Sequence, residues 1–305
     1  MSDTFKAILF ADDSTFITTI NASLPAKRID KKFEDHINTE LNKVYDWLIV
    51  NKLSLNIRKT KCMLFHSVNT KFTFVPRLII NDIEIERVEN FNFLGLTINE
   101  NLSWKPHIDK IAIKISKSSG VINRLKNFLP VDILRTIYCS TVQSNLTYSL
   151  LAWGYDCSRI VKSQKQVIRN MCCQKYNAHT EPLFKKLDLL NIEDLLNLNT
   201  LKFYYKLKKG KVPDYFKKYS ILRRDEIHGK NLRYKSLIST NRTRLKLTDK
   251  CLRNYISFVL NSTPQIALDK VNTHSPDGFT NYVKKIMLDS YSIQCVIPNC
   301  YVCST

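Results

Sequence analysis

The apolar residues of this chain change their period near residue 102, and that change limits the folds open to it. Upstream they come in short runs rich in Ile, Leu, Phe and Thr, bounded by turn-forming residues, as strands and hairpins do. Residues 5–10 and 14–18 flank Ala11-Asp12-Asp13 and read as a hairpin whose turn carries both acids. Leu78–Ile85 reads as a second hairpin turning at Asn81-Asp82, and Cys62–Phe65 and Asn90–Ile98 as strands. One helix interrupts them, Lys31–Val50, in which Phe33, Ile37, Leu41, Val44 and Leu48 recur at helical spacing. Downstream, Ile108, Ala112, Ile115, Ser119, Ile122 and Leu125 define a helix that Pro130 stops. Val131–Trp153, Arg159–Cys173 and Ile192–Lys209 read as further helices, and a very basic stretch covers Lys211–Arg253. The expected class is α+β: a small α+β domain over 1–101, a helical domain over 102–178, and a basic, mainly helical region over 179–305 with a cysteine-containing tail.

Charge narrows the partners. The 47 Lys+Arg against 27 Asp+Glu give a net +20, which suits a polyanion held through counterion release. Solubility alone is the other reading, although a solubilising surface usually mixes both signs with a smaller net value. No apolar run approaches the roughly 20 residues that span a bilayer, and the N-terminus has no secretory pattern, so no membrane is expected. The nine cysteines are odd in number and scattered, with Cys62, Cys139 and Cys172 inside apolar segments, as buried thiols in a reducing compartment would be. An intracellular protein is expected.

Asp12 and Asp13 carry the sharpest chemical signal. Adjacent carboxylates repel and resist burial, so they need a compensating partner or water. Hard oxygen donors suit Mg²⁺, which takes one or two carboxylates, keeps waters, and shares phosphates with a substrate. An Asp pair is also an ordinary turn former, and the dipeptide alone leaves both readings open.

A second cluster follows the first helix. Trp47, Asn51, Leu53, Leu55, Asn56, Lys59, Thr60 and Lys61 stand in a segment that closes the helix, turns and enters a strand. With Phe10-Ala-Asp-Asp13 at its distance upstream, this segment resembles the reverse transcriptases of non-LTR retrotransposons, of the jockey-like LINE type. Further matches come in order: Phe93-Leu94-Gly95, Trp104-Lys-Pro-His107, Tyr148 with Trp153-Gly154, Gln164-Lys165, Arg169 and Pro213. The likeness covers about residues 5–220.

The resemblance implies a partial polymerase palm of antiparallel strands plus a helix, then a helical thumb and a basic C-terminal region. It implies an RNA-directed DNA polymerase, a nucleotidyltransferase that works with an RNA template, a DNA primer and two Mg²⁺, in nucleus and cytoplasm. Asp12 and Asp13 are then metal-binding catalytic carboxylates, and Lys59 a residue that protonates or neutralises departing pyrophosphate. Phe93, Leu94 and Gly95 form the primer grip. Their ordinary alternatives are a solvated lysine in a basic turn and a strand with a bulge glycine. Trp104 and His107 read as packing and capping residues. Lys110, Lys114 and Lys117, with Arg124, Lys162, Lys165 and Arg169, would meet nucleic-acid phosphates along the thumb.

Departures from the family temper this. Its third metal-binding Asp, its fingers and its nucleotide-gripping segment lie upstream of the hairpin, and these 305 residues begin at the hairpin itself. Asp3 stands nine residues before Asp12, about 30 Å away on an extended strand, and cannot take that role. The chain is therefore expected to be inactive alone, with a separate upstream polymerase segment as a possible partner. A non-catalytic, nucleic-acid-binding remnant of a retroelement is the alternative. Cys295, Cys300 and Cys303 fall one short of the four ligands of structural zinc, so zinc is not expected.

Overall fold

The computed structural model describes residues 4–11, 13–19, 30–70, 74–217, 238 and 251–292. The chain is α+β, and it divides into two compact units, 1–106 and 107–305.

The first unit is built on one helix, α1 (Lys31–Val50), and several short strands. Asp30 caps α1 by accepting from the Phe33 amide at 3.1 Å, as Ncap acids do. Strands β1 (Lys6–Phe10) and β2 (Asp13–Ile17) form the first hairpin, with Phe10 opposite Asp13. A second, β4 (Ile79–Ile80) and β5 (Ile83–Glu84), turns at Asn81 and Asp82, whose φ values of 49° and 60° are those of a type I′ turn.

One row of α1 satisfies the outer edge of that hairpin. Glu34 accepts from the Arg77 amide at 2.7 Å, Asn38 accepts from Ile79 N at 2.9 Å and donates to Arg77 O at 3.0 Å, and Asn42 accepts from Asn81 N at 3.2 Å. The match is metric. Four helical residues rise about 6 Å and two strand residues about 6.6 Å, so every fourth position of α1 meets every second position of the strand. The adjacent face of α1 buries Ile37 and Leu41 against Ile80 and Ile85, with Phe5, Phe33, Tyr45, Leu55, Cys62 and Leu78 around them. An edge that would otherwise invite another chain is thus closed by a polar stripe.

Two expectations for this unit change. The strand expected over Cys62–Phe65 is only β3 (Lys61–Cys62), paired in parallel with β6 (Glu86–Arg87) and fastened by a Lys61–Glu86 ion pair. The single strand expected over Asn90–Ile98 is a hairpin, β7 (Asn90–Phe93) and β8 (Leu96–Asn99), folded at Leu94 (φ 47°) and Gly95 (φ 80°). Gly95 takes the left-handed conformation at little cost, and the chain reverses there.

The second unit is helical among its described residues. Its main helices are α2 (Lys105–Leu125), α3 (Val131–Tyr138), α6 (Ser158–Met171), α8 (Ile192–Lys208), α10 (Leu252–Ser262) and α12 (Pro276–Asp289), with shorter α4 (Ser144–Thr147), α5 (Leu150–Trp153), α7 (Glu181–Lys186), α9 (Asp214–Lys217) and α11 (Gln265–Thr273). α8 is central: Ile192, Leu195, Leu196, Leu198, Thr200, Leu201 and Tyr205 are buried on several of its sides. Each fully buried Leu or Ile is worth about 1.5–3 kcal/mol relative to exposure.

The continuous helix expected over Val131–Trp153 is broken. A π-turn at Cys139–Gln143 joins α3 to α4, and the chain then passes through Tyr148 and a left-handed Ser149 (φ 49°) before α5. The break turns Trp153 into the core, fully buried, where its indole N–H donates to Tyr148 O at 2.9 Å. Gly154 follows for reasons of space: a Cβ there would come within 2.7 Å of Leu150 and 3.0 Å of Leu196.

Gln164 ties the expected helical domain to the region beyond residue 178. Fully buried on α6, it donates to the Tyr138 hydroxyl at 2.8 Å and to Leu190 O at 3.1 Å, and accepts from Ile192 N at 2.9 Å. All its polar capacity toward the core is used, which is how a buried amide avoids its desolvation cost. α3, α6 and α8 therefore share one core across that boundary.

Candidate nucleic-acid interface and carboxylate hairpin

At the first hairpin, Ala11 adopts a left-handed φ of 52° and Asp13 stands exposed at the first position of β2. Asp12 lies outside the described residues. The hairpin is apolar and open, with Leu9 and Phe10 each 60% exposed and Ile8 and Ile17 also on the surface. Phe5 and Phe16, ring centroids 6.1 Å apart, tie its base to the unit. The Asp13 carboxylate is the kind of donor Mg²⁺ accepts, and its exposure leaves room for waters and phosphate oxygens. Among the described residues, no group of three or more His, Cys, Asp or Glu is placed to hold a metal. Cys295, Cys300 and Cys303 are outside the described residues.

The segment after α1 resolves into caps and turns. The Trp47 carbonyl receives both the backbone and the side-chain amide of Asn51, at 3.1 and 2.8 Å, closing the helix. Lys52 is left-handed (φ 56°), and Leu53 N returns to Leu48 O at 2.8 Å. Asn56 organises the next turn, accepting from Lys59 N on its carbonyl at 3.1 Å and from the Thr60 hydroxyl at 3.0 Å. Lys59 is thereby fixed in backbone and exposed in side chain. Asp13 and Lys59 form no hydrogen bond or ion pair with each other. Phe93, Leu94 and Gly95, expected as the primer grip, lie at and around the tip of the β7–β8 hairpin.

The basic residues of α2 form the stronger assembly. Lys110, Lys114, Lys117 and Arg124 are exposed and follow helical spacing along one stripe, opposite buried Ile108, Ile111, Ala112, Ile115 and Ile122. Lys114 reaches Asn145 Oδ1 at 3.3 Å, which sets the stripe beside the hydroxyls and amides of α4 and the π-turn. α2 and α6 pack side by side and point the same way. An Asp109–Arg159 ion pair joins them near their starts, and Asn170 donates to the Ser119 hydroxyl at 3.0 Å about ten residues later on each.

On α6, Lys162 is exposed and Lys165 half-buried. Arg169 has another task. Its Nε donates to Ala178 O at 2.8 Å, and burial lowers its guanidinium pKa. It therefore secures the loop after α6.

His107 is 1% exposed, its ring edge-on to Trp153 at 5.4 Å. Burial first, then Lys110 and Lys114, push its pKa below the usual 6.5. A folded pKa below the unfolded one means that the unfolded chain takes up the proton first, so stability is full above about pH 6.5 and declines as pH falls through that value. The urea midpoint is expected to drop between about pH 7.5 and 5.5, and His107→Phe to flatten that drop. An equally steep drop in the variant would remove His107 as its source.

Sequence reading missed a polar junction in the first unit. Glu100 accepts from Arg87 at 3.1 Å and lies 3.5 Å from His66, while Asn101 donates to His66 O at 3.2 Å. Its members come from three separate segments, and no local pattern joins them.

Comparison of the chain with family models, with characterised proteins and with solved structures gives no match. No described helix is long and apolar enough to cross a membrane.

Proposed function

We propose that this chain is a palm-to-thumb segment of an RNA-directed DNA polymerase of the non-LTR retrotransposon type, holding RNA template and DNA primer through its helical unit. The observation that carries the reading is the exposed Lys110–Lys114–Lys117–Arg124 stripe on α2, in a chain of net +20. Phosphate contacts of this kind supply affinity and position without reading sequence. The ordered motifs from Phe10 to Pro213 give the stripe its polymerase context.

In this reading Asp12 and Asp13 hold Mg²⁺, which on binding supplies charge stabilisation for attack of a primer 3′-hydroxyl on a nucleotide α-phosphate. Lys59 stands ready to neutralise or protonate the leaving pyrophosphate. Phe93, Leu94 and Gly95 present a tight backbone reversal to the primer end. Lys162 and Lys165 extend the cationic surface, and Arg169 orders the loop that follows.

The resemblance places a third metal-binding carboxylate on a strand N-terminal to the hairpin. These 305 residues alone are therefore expected to give no primer extension with Mg²⁺ and nucleotides. Fusion to a fingers-and-palm segment from an intact relative should restore it, and Asp12→Ala or Asp13→Ala should abolish it again. Asp12-dependent synthesis by the 305 residues alone would overturn the incomplete-site argument. An inactive but folded fusion would favour the second reading, a non-catalytic nucleic-acid-binding remnant. That reading draws support from the helical unit, which has its own core and exposes its stripe without the hairpin.

A further inference from the structure

Two aromatic side chains of the helical unit are displayed where apolar groups gain nothing from burial. Phe128 is 81% exposed and Tyr176 80% exposed. Single exposed apolar residues are common and need no explanation. These two differ in where the fold puts them.

Because α2 and α6 run in one direction, the turn after α2 and the loop after α6 lie toward the same end of the helical unit, with α2 running six residues past its Ser119–Asn170 contact. Phe128 sits in the turn after α2, and Tyr176 in the loop after α6. Both are held. Phe128 N and Leu129 N donate to Leu125 O at 2.9 and 3.0 Å. The Tyr176 loop is closed by Gln174 N on Arg169 O at 2.9 Å, by Ala178 N on Lys175 O at 3.1 Å, and by the Arg169 side chain on Ala178 O.

The surroundings are cationic. Arg124 and Lys175 are exposed, Lys126 half-buried, and Lys186 lies close enough to Cys172 to act on its thiol. Neither 124–130 nor 172–180 contains an acid, and the nearest in sequence are the exposed Asp132 and Glu181 just beyond them. Preformed aromatic tips among fixed positive charges are what an unpaired, flexible polyanion needs: bases stack on the rings while phosphates meet the cations. A duplex keeps its bases stacked on each other and offers the rings little.

We infer that the shared C-terminal end of α2 and α6 is a platform for single-stranded nucleic acid, with Phe128 and Tyr176 each stacking on a base and Arg124, Lys126 and Lys175 meeting the phosphates. This rests on the reading that the helical unit binds nucleic acid, and adds to it a preference for unpaired strand.

The test uses the full 305-residue chain, a fluorescein-labelled oligouridylate of about 12 nucleotides, and a blunt RNA–DNA duplex of the same length, by anisotropy across a salt series. Phe128→Ser and Tyr176→Ser should each weaken oligouridylate binding about tenfold, and together about a hundredfold. The log–log salt slope should not change, because no charge is removed. Duplex affinity should stay within about twofold, and Phe128→Trp and Tyr176→Phe should restore the single-strand affinity. Salt-sensitive binding by the parent with silent serine variants would overturn the platform and leave the polymerase reading standing. Equal losses on strand and duplex would also overturn it. No binding by the parent to either probe would overturn both.

Discussion

Reversing Lys110, Lys114 and Lys117 to Glu together is expected to weaken binding of single-stranded RNA by roughly a hundredfold at low salt. Each lysine that meets a phosphate releases a counterion, and the single-strand slope is about 0.7 per phosphate, so the log–log salt slope should shrink by about 2. The three stand on the solvent side of α2, away from its buried residues, so the helix should survive the change. Lys202, Lys206 and Lys285, also exposed, make a charge-matched control. Lys284 would be a poor one, because it is paired with Asp188 at 2.6 Å. If the control triple weakens binding as much as the stripe, general charge and not the stripe carries the affinity.

The second large effect is on stability. Trp153→Ala is expected to cost about 3–5 kcal/mol, the range for emptying a large aromatic from a packed core. Against a typical total of about 5–15 kcal/mol, that is about a fifth or more of what holds a domain together. The indole is fully buried, packs on His107, and supplies the hydrogen bond that holds the Tyr148–Ser149 break. Trp153→Phe keeps most of the volume and loses mainly that bond, so its cost should be nearer 1–2 kcal/mol. Gly154→Val should destabilise by about 1–3 kcal/mol through crowding of Leu150 and Leu196. Urea denaturation followed by circular dichroism measures all three. An unchanged midpoint for Trp153→Ala would refute the role of the break.

The Trp153-Gly154 pair, Gln164 and Arg169 belong to the resemblance to non-LTR reverse transcriptases, and their geometry gives each a structural purpose. Trp153 anchors a helix break, Gly154 allows close approach to α8, Gln164 satisfies three backbone and hydroxyl groups, and Arg169 secures a loop. A motif residue can recur because packing requires it as well as because chemistry does. The candidate phosphate contacts on α2 are exposed, and Lys114 also donates to Asn145 Oδ1 at 3.3 Å.

Elements whose causes are local were legible in the order of residues alone. Apolar spacing placed α1, α2, α6 and α8 close to their observed limits, and Asn81-Asp82 announced a tight turn because Asn and Asp tolerate left-handed backbone. The β1–β2 hairpin was legible from two short apolar runs around a turn. The candidate stripe was legible too, since every third or fourth residue of a helix shares a face. Tertiary structure decided what depends on residues far apart in the chain. Leu94-Gly95 became a reversal because Asn90–Phe93 pairs with Leu96–Asn99, a pairing that competes with one straight strand of the same apolar content. The long helix expected over Val131–Trp153 broke at Ser149, where burying one indole against His107 outweighs continuing the helical hydrogen bonds. The common direction of α2 and α6, which puts Phe128 and Tyr176 toward the same end of the helical unit, is fixed by Asp109–Arg159 and Ser119–Asn170 across about fifty residues of chain. Local pattern specifies which face of a helix is buried. Which neighbour buries it depends on non-local contacts, and those leave no period in the sequence.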